Sequence, residues 1–405
     1  MSEATRKPTH WGLVLLLAAL TVAGPLGIAL CLPALPSIAR DLHATTGQAQ
    51  SAVSTFLLGM GIGQLFYGPA ADRLGRRGPL LVGTVIFVIA SFACLFVTTA
   101  PMLSGARFVQ ALGACAGGVI SRAIVRDNFG HTDTARMLSL MALITGFAPI
   151  LAPLIGGVLL NLGGWRASFV FMGLFGLAIT LAAALRLKES RSEETIAHSR
   201  TENAFQAYLA LLREPQLMGY ALAGALNGAA LFTYIACSPD LMINSYHMSP
   251  TLFGWVFVVN GLGLLVSNQA NRMLLRRLEP DRILKTASSA AVFFAVLLLA
   301  AAITGFGERW SVLPLLFALQ ASYGFMQGNT MAGALSIDPR RAGSTSAVMG
   351  FASFASGGVG SAVAGMFHDG TARPMAVVTL VVLVGSAMSL RLLALRRRPA
   401  VPVIA

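Results

Sequence analysis

The sequence predicts an all-α membrane protein with twelve transmembrane helices. Hydrophobic residues make up 56% of its 405 residues and charged residues only 11%, whereas a soluble domain has about 25% charged residues. Twelve apolar runs are each long enough to cross a bilayer as a helix, which takes about 20 residues. Backbone groups in lipid must find partners within their own segment, and the alternation typical of barrel strands is missing from the sequence. A helical bundle follows.

The predicted spans, numbered one to twelve, are joined mostly by short polar links. They cover residues 11–33, 48–70, 79–99, 102–125, 136–160, 166–186, 217–239, 250–271, 284–304, 310–333, 342–366 and 374–395. The first run is too long for the apolar core of a cleavable signal peptide, so we expect it to remain as a helix.

One extended polar stretch, residues 187–216, divides the spans into two groups of six. We therefore predict an N-terminal six-helix bundle over 1–186, a cytoplasmic linker over 187–216 and a C-terminal six-helix bundle over 217–405. Within the linker, the segment FQAYLALLREP is predicted to form a short surface helix.

The net charge of +13 could suggest a nucleic-acid partner, but the basic residues lie in the links between apolar runs. Placing both termini in the cytoplasm puts 24 of the 29 basic residues on the cytoplasmic side, which predicts that orientation. Anionic membrane lipid is a secondary contact. No nucleic-acid partner is expected, because the chain has no basic soluble domain. Arg107, inside span four, is the one basic residue that this count assigns to neither side.

Catalytic and cofactor chemistry finds little support in the sequence. The six histidines lie in links or at span ends, no acid pair lies within a span, and no phosphate-binding loop is present. The four cysteines lie in apolar runs without the spacing of metal ligands, so we interpret them as small buried residues. We expect neither an enzyme nor a bound metal or other cofactor.

Span four carries a polar or small face, because Arg107, Gln110, Ala114, Gly118 and Ser121 recur at steps of three and four residues. A charged side chain in lipid is expensive, so Arg107 is expected to face the bundle interior or water. Alternatively, its long side chain extends to the nearby membrane interface.

The link between spans two and three, GPAADRLGRRGPLL, combines an acid with several arginines. Asp72 can accept hydrogen bonds from a helix N-terminus or pair with a nearby arginine such as Arg76. A simple positively charged turn is the alternative. At the end of span four, Asp127 is predicted to bond Arg126, Arg122 or a neighbouring helix end.

Span five contains GFAPILAPLIGG, in which Gly146, Pro149, Pro153 and Gly157 share one face and Gly156 adjoins it. Prolines bend a helix and free backbone carbonyls, and glycines allow a close neighbour. A kinked packing helix is a sufficient explanation of this pattern. Span eleven carries a second small-residue face, which we predict to be a packing seam. Its members are Gly350, Ser353, Gly357 and Ser361.

Three of these motifs resemble known ones in the correct order. The pattern G-x-x-x-D-R-x-G-R-R resembles the signature loop of the major facilitator superfamily. RFVQALGACAGG resembles the R-x-x-Q-G-x-G pattern that follows it, with Ala111 in place of the first glycine. GFAPILAPLIGG resembles the antiporter motif of the superfamily's Bcr/CflA-type drug exporters. The stretches CLPALPSIARDL, YIACSPDLM and NTMAGALSIDPRRAGSTSAVMGF also resemble that subgroup.

The resemblance covers nearly the whole chain and implies the superfamily's fold, two pseudo-symmetric six-helix halves, in the bacterial inner membrane. It implies a monomer that exports small amphipathic or apolar compounds, driven by proton antiport. Asp72 and Arg76 then belong to a gate at the cytoplasmic side, and Arg107 to proton coupling.

The sequence departs from this subgroup at one point. Its members commonly carry an acid in span one within D-M-Y-L-P, whereas here ALCLP puts Ala29 at the acid position and Cys31 at the tyrosine. Asp240, at the outer end of span seven, and Asp41 are the candidate replacements, with a solvated loop acid as the alternative interpretation of both. The missing acid leaves a second hypothesis open, an uncoupled or differently coupled exporter or facilitator of small metabolites.

A cavity with few charges favours neutral or weakly anionic substrates, such as phenicol- or bicyclomycin-like antibiotics. Helix–helix hydrogen bonding is the alternative role for its polar members. The candidate lining residues are Ala29, Cys31, Gln110, Asn227, Tyr234, Asn260, Tyr323 and Gln327.

Overall fold

The computed structural model describes residues 11–129, 131–191, 204–338 and 341–395. The start of the predicted N-terminal bundle (1–10), the end of the predicted C-terminal bundle (396–405) and the middle of the predicted linker (192–203) lie outside the described residues. Nearly all of the described chain is helical.

The described residues of the N-terminal half form six helices. They are α1 (Trp11–Ala29), α2 (Leu35–Asp41), α3 (Thr46–Leu74), α4 (Arg77–Ala93), α5 (Ala100–Asn128) and α6 (His131–Arg186). A short 3-10 turn, Leu32–Ala34, separates α1 from α2. The predicted span one therefore ends earlier than expected and bends into α2, because Pro33 and Pro36 cannot donate the backbone hydrogen bonds that would continue α1.

The long helix α6 combines the predicted spans five and six. Gly163 and Gly164 have non-helical backbone angles, and Gly164 adopts the left-handed region at φ 68°, which glycine enters without a steric penalty. These two residues divide α6 into two arms, α6a (131–162) and α6b (165–186).

The remaining described helices belong to the linker and the C-terminal half. They are α7 (Ala204–Leu212), α8 (Pro215–Pro239), α9 (Pro250–Leu274), α10 (Pro280–Thr304), α11 (Arg309–Ile337), α12 (Ala342–Met366) and α13 (Arg373–Ser389). The short helix predicted within the linker is α7. After Pro239, α8 continues as a wider turn over Asp240–Ser245.

Twelve spans result when α6a and α6b are counted separately, α2 is joined to α1 and α7 is left out, which confirms the predicted fold class. Within the described residues, eight helices are long and apolar enough to cross a membrane by length and composition alone, with the two arms of α6 counted as one. α4 is shorter, and α3 and α11 carry more polar side chains. Helices with polar side chains are expected to face other helices rather than lipid.

Two ends of the bundle are distinguished by the links they hold. We call the end with residues 75–76 and 187–191 the linker end. The opposite end, with residues 42–45, 94–99, 246–249 and 367–372, is called the far end.

The two halves meet mainly where α3 packs on α12 and α6a packs on α9. Small residues allow these approaches, since a Cβ on Gly47 would strike the carbonyl of Gly365 and one on Gly350 would lie 3.1 Å from the Gln64 side chain. Within the C-terminal half, a Cβ on Gly357 would likewise strike the Phe232 ring of α8. The small-residue face predicted for span eleven is therefore confirmed as a packing seam.

A second tie between α3 and the other half lies at the linker end. Pro69 has no N–H, so the carbonyl of Leu65, four residues earlier in α3, lacks its helical donor. The hydroxyl of Tyr208 on α7 donates to that carbonyl at 3.0 Å. Leu211 of α7 packs with Val348 of α12, so α7 packs against the C-terminal half.

Candidate transport site

Arg107 on α5 is completely enclosed by the N-terminal half, with 0% of its surface exposed. Its guanidinium donates to the side-chain oxygen of Gln110 at 2.5 Å and to the backbone carbonyl of Gly27 at 2.6 Å. The thiol sulfur of Cys31 lies 3.5 Å away. Arg107 thus faces the bundle interior as predicted, and the alternative of an extension to the interface is wrong.

The carbonyl that Arg107 uses is available because α1 ends at Ala29, two residues after Gly27. The last four carbonyls of a helix have no partner within it. A break in span one therefore supplies an acceptor at the depth of Arg107. Pro33 in the sequence indicates this break, but nothing in the sequence indicates that Arg107 donates to the freed carbonyl.

Two aromatic rings complete the enclosure of the guanidinium. Its central carbon lies 4.1 Å from the centre of the Phe56 ring and 5.7 Å from that of Phe169, within range of a cation–π interaction. Gln110 is held in turn, because its amide nitrogen donates to the hydroxyl of Ser91 at 2.7 Å. Nε of Arg107 has no hydrogen-bond partner within the described part of the chain. Among the residues that the structure describes, no carboxylate forms an ion pair with this arginine.

The position of the missing acid lies two residues before a contact of Arg107. Ala29, at 2% exposure, is buried, and the thiol of Cys31 lies 3.5 Å from the guanidinium. Two of the predicted cavity residues, Cys31 and Gln110, therefore contact the arginine.

Arg76 lies between two acids at the linker end. It binds Asp72 at 2.5 Å and Asp127 at 2.7 Å, so the predicted pairing of Asp72 with a nearby arginine is confirmed. Of the partners predicted for Asp127, the neighbouring helix end is confirmed, because its carboxylate pairs with Arg76 at the start of α4. Arg122 instead donates to the carbonyl of Gly118 at 2.7 Å. Burial acts to lower the pKa of Arg76, but its hydrogen bonds to the two acids outweigh burial and raise that pKa.

Glu189, just beyond α6, closes the same region from the linker side. Its carboxylate accepts the backbone N–H groups of Arg76 at 2.8 Å and Arg77 at 3.2 Å, at the start of α4. Partial burial acts to raise the pKa of Glu189, but backbone hydrogen bonds from Arg76, Arg191, Arg77 and Ser190 lower it overall. Sequence reasoning missed this residue, because an isolated acid in a polar link carries no sign of its partner.

Asp240 is buried at the far end, with 6% of its surface exposed. It accepts hydrogen bonds from Asn244 at 2.7 Å and Thr46 at 3.5 Å, and Nε2 of His368 lies 3.2 Å from its other oxygen. The interpretation of Asp240 as a solvated loop acid is therefore wrong. Asp41 is exposed and accepts the indole N–H of Trp165 at 2.9 Å.

The cavity candidates of the C-terminal half fall into two groups. The hydroxyl of Tyr234 accepts from the amide of Asn260 at 2.8 Å, which is the helix–helix bond considered as the alternative. Nδ2 of Asn227 and Oε1 of Gln327 are buried, and neither has a hydrogen-bond partner among the residues that the structure describes. Tyr323 is half-buried on α11. A buried polar atom without a partner is uncommon, which distinguishes Asn227 and Gln327 from the bonded pair.

The α6a motif lies where the first half meets α9. A Cβ on Gly146 would lie 3.4 Å from Leu265, and one on Gly157 would lie 3.8 Å from the carbonyl of Pro250. Gly156 instead packs against the carbonyl of Leu30 at the break of span one. Pro149 and Pro153 both lie inside this arm, where each removes a backbone donor.

The chain is similar to a family of known proteins over most of its length. The Major Facilitator Superfamily model matches residues 17–365 of the chain. The chain belongs to the Major Facilitator Superfamily. This superfamily member is a multi-pass membrane protein and a transporter of small molecules.

Several curated relatives are similar over most or about half of the chain. The "Uncharacterized MFS-type transporter YdgK" of Bacillus subtilis is 32% identical, covering 91% of this chain and 92% of its own. The "Bicyclomycin resistance protein homolog" of Haemophilus influenzae is 27% identical, covering 89% and 91%. The "Multidrug resistance protein D" of Escherichia coli is 34% identical, covering 58% and 59%. These relatives confirm the predicted resemblance to Bcr/CflA-type proteins.

Solved structures of the superfamily share the fold. A D-xylose–proton symporter aligns with a TM-score of 0.74 at 14% identity, covering 94% of this chain and 97% of its own. A bacterial homologue of the human lysosomal transporter Spinster, in an inward-facing and unoccupied conformation, aligns with a TM-score of 0.71 at 16% identity, covering 95% of each chain. At such identities the likeness concerns the fold alone.

Proposed function

We propose that this superfamily member exports small neutral or weakly anionic drugs from the bacterial cytoplasm in exchange for protons. The observation that carries the proposal is the buried charge of Arg107, held by neutral groups at the break of span one. A relative named for bicyclomycin resistance and others named for multidrug resistance support drugs as the substrate class.

The charge of the interior favours these substrates. A fixed positive charge in a medium of low dielectric constant repels cations, and no acid lies beside Arg107 among the described residues to offset it. The free amide nitrogen of Asn227 offers a donor and the free oxygen of Gln327 an acceptor. A neutral molecule with carbonyl and hydroxyl groups satisfies both, which is the chemistry of phenicol- and bicyclomycin-like antibiotics.

Transport then proceeds by alternating access. The halves, residues 1–186 and 217–405, rock about the α3–α12 and α6a–α9 contacts. The Asp72–Arg76–Asp127 cluster holds the linker end of the N-terminal half together between openings. The excess of basic residues at the linker end supports a cytoplasmic position for that end and for both termini.

Proton coupling needs a group that gains and loses a proton during the cycle. The methyl side chain of Ala29 cannot bind a proton, so another residue must be the proton carrier. Asp240 is the most deeply buried acid among the described residues, and buried carboxyl groups are common proton carriers. An uncoupled exporter or facilitator of small metabolites is the second candidate, favoured by the alanine at the position where the Bcr/CflA-type subgroup commonly carries an acid.

A drug-susceptibility panel in a host lacking its own efflux pumps tests the function. Wild type should raise resistance to phenicol- or bicyclomycin-like antibiotics, and Arg107→Ala should abolish the gain at equal membrane levels. Arg166→Ala is the matched control, because Arg166 also lies over an aromatic ring, 4.2 Å from that of Trp165, but is exposed. Wild-type resistance in Arg107→Ala would remove the arginine from the mechanism.

Proteoliposomes separate the two candidates. A proton antiporter should accumulate drug only when a pH gradient is imposed, whereas a facilitator should equilibrate it with or without the gradient. Equal transport rates in both conditions would leave the export proposal standing without proton antiport.

A further inference from the structure

We propose that Asp240 and His368 form a proton-binding site at the far end, and that its proton favours closure of the two halves there. The inference rests on the proposed function, since the proton is the ion exchanged for drug. It adds His368, which no sequence motif indicated, to the proton-binding group. It also assigns this group a role in closing the far end.

Three separate segments converge on the Asp240 carboxylate. His368 belongs to the link between α12 and α13, Asn244 to the turn that follows α8, and Thr46 to the first turn of α3. Oδ2 faces Nε2 of His368 at 3.2 Å, while Oδ1 accepts from Asn244 at 2.7 Å and from Thr46 at 3.5 Å. Since Thr46 belongs to the N-terminal half, this acid joins the two halves.

The protonation state of the pair decides the energy of this arrangement. With a proton on both ring nitrogens, His368 donates a charge-assisted hydrogen bond to the Asp240 carboxylate. Without that proton, the carboxylate keeps its charge while shielded from water and without a cation, which is costly. Opening the far end would let water solvate the acid. The closed arrangement is therefore favourable when the pair carries the proton, because the Asp240 carboxylate then faces a cation.

The proton can reach the site from solution through the imidazole. The side chain of His368 is 26% exposed, whereas that of Asp240 is only 8% exposed. Small recesses flank the acid on two sides, one lined by His368 and Cys237, the other by Thr46 and Gln50 between the halves. Oε1 of Gln50 is buried without a partner and so offers an unused acceptor beside the second recess.

Other ionisable groups around Asp240 have partners elsewhere or face solution. Asp41 accepts from Trp165, Asp369 accepts from Thr371, and Arg373 donates to the carbonyls of Ala302 and Ile303. The thiol of Cys237, one turn earlier in α8, is buried beside the acid. The remaining groups on neighbouring segments are Arg40, His43, Tyr246, His247, Glu308 and Arg309. His368 is the one that forms an ion pair with Asp240 in the described chain.

Proton entry would then be tied to the direction of transport. When the far end is open, the pair takes up a proton from the medium outside. Uptake favours closure of that end, and the linker end opens next. The proton adds to a ring nitrogen of His368 or to the carboxylate, and no other bond forms or breaks.

Spin-label distances across the far end test the site without drug or gradient. Met102→Cys on α5 and Thr251→Cys on α9 place labels at exposed positions in different halves. The four native cysteines are buried and can stay. Between pH 8.5 and 5.5, the ratio of closed to open populations should rise as pH falls, by no more than about tenfold per pH unit for one proton.

Three variants decide the outcome, each checked for wild-type thermal stability. Asp240→Asn and His368→Gln should each remove the pH response. His247→Asn, at an exposed far-end histidine, should retain it. A wild-type distance distribution independent of pH, or a pH response that persists in either Asp240→Asn or His368→Gln, overturns the proposal. A normal response in a protein that exports no drug would instead contradict the proposed function and leave this site in place.

Discussion

The hydroxyl oxygens of Ser54 and Ser361 lie 2.7 Å apart and join α3 to α12 across the contact between the halves. Neither hydroxyl is exposed to solvent, so the two halves are in close contact at this pair. A second serine pair, Ser51 and Ser104, has its hydroxyl oxygens at the same 2.7 Å but joins α3 to α5 within one half. Cross-linking each pair in turn therefore distinguishes motion between the halves from motion within the N-terminal half.

A disulfide across the halves should stop transport. Ser54→Cys with Ser361→Cys should oxidise readily, because the replaced oxygens are close and a disulfide needs Cβ atoms about 4 Å apart. We expect drug uptake into proteoliposomes to be lost on oxidation and to return with reductant. The Ser51→Cys and Ser104→Cys pair should form its disulfide without loss of uptake. Full transport with the Ser54–Ser361 bridge intact would show that these halves do not separate here.

The two acids of the Arg76 cluster should differ in their contribution to stability. The side chain of Asp127 is 9% exposed and that of Asp72 is 48% exposed. Breaking a buried pair costs about 3–5 kcal/mol because the remaining charge stays buried, whereas an exposed pair contributes at most about 1 kcal/mol. Asp127→Asn should therefore lower the thermal unfolding temperature in detergent much more than Asp72→Asn. Equal shifts would contradict the role of burial.

Glu189 should make stability depend on pH at the acidic side. Its pKa in the folded protein lies below its ordinary value of 4.5. Its contribution is therefore present above that ordinary value and lost as pH falls through the lower, folded value. In Glu189→Gln, the unfolding temperature should be lower at pH 7 and should fall less between pH 5 and 3. Glu279→Gln is the control, because Glu279 is exposed before α10 and makes no capping hydrogen bond.

Adding one methyl group at Gly47 should disturb the far end. The new Cβ would strike the carbonyl of Gly365 on α12, and overpacking costs about 1–3 kcal/mol. Gly68→Ala on the same helix should be neutral or slightly stabilising, since nothing lies within 4 Å of the added Cβ. Spin-label distances at Met102 and Thr251 should lengthen only in Gly47→Ala. Unchanged distances in that variant would mean that α3 and α12 can move apart without opening the far end.

Most of the fold was predictable because the bilayer imposes a simple rule on sequence. Each span needs a long apolar run, so twelve spans and the short helix α7 could be recognised without knowledge of contacts. The error occurs at a local break, because span one bends after Ala29 at its two prolines. Spans five and six are divided at Gly163 and Gly164, inside the link predicted between them.

The site was predictable only where its members lie close in sequence. Arg107 and Gln110 are three residues apart on one helix, so their bond could be expected from helical geometry. Gly27 and Phe56 reach the arginine from other helices, and His368 reaches Asp240 from another link. Such contacts depend on how whole helices pack, which the periodicity of a single segment does not specify.

The proline in α3 has an energetic consequence for the linker end. When that end opens, the carbonyl of Leu65 exchanges the hydroxyl of Tyr208 for water, so only the net worth of one neutral hydrogen bond is at stake. That is about 0.5–1.5 kcal/mol, or roughly a two- to twelvefold bias in population. Pro69 thereby provides a weak tie that shifts the balance between the closed and open linker end without preventing its opening.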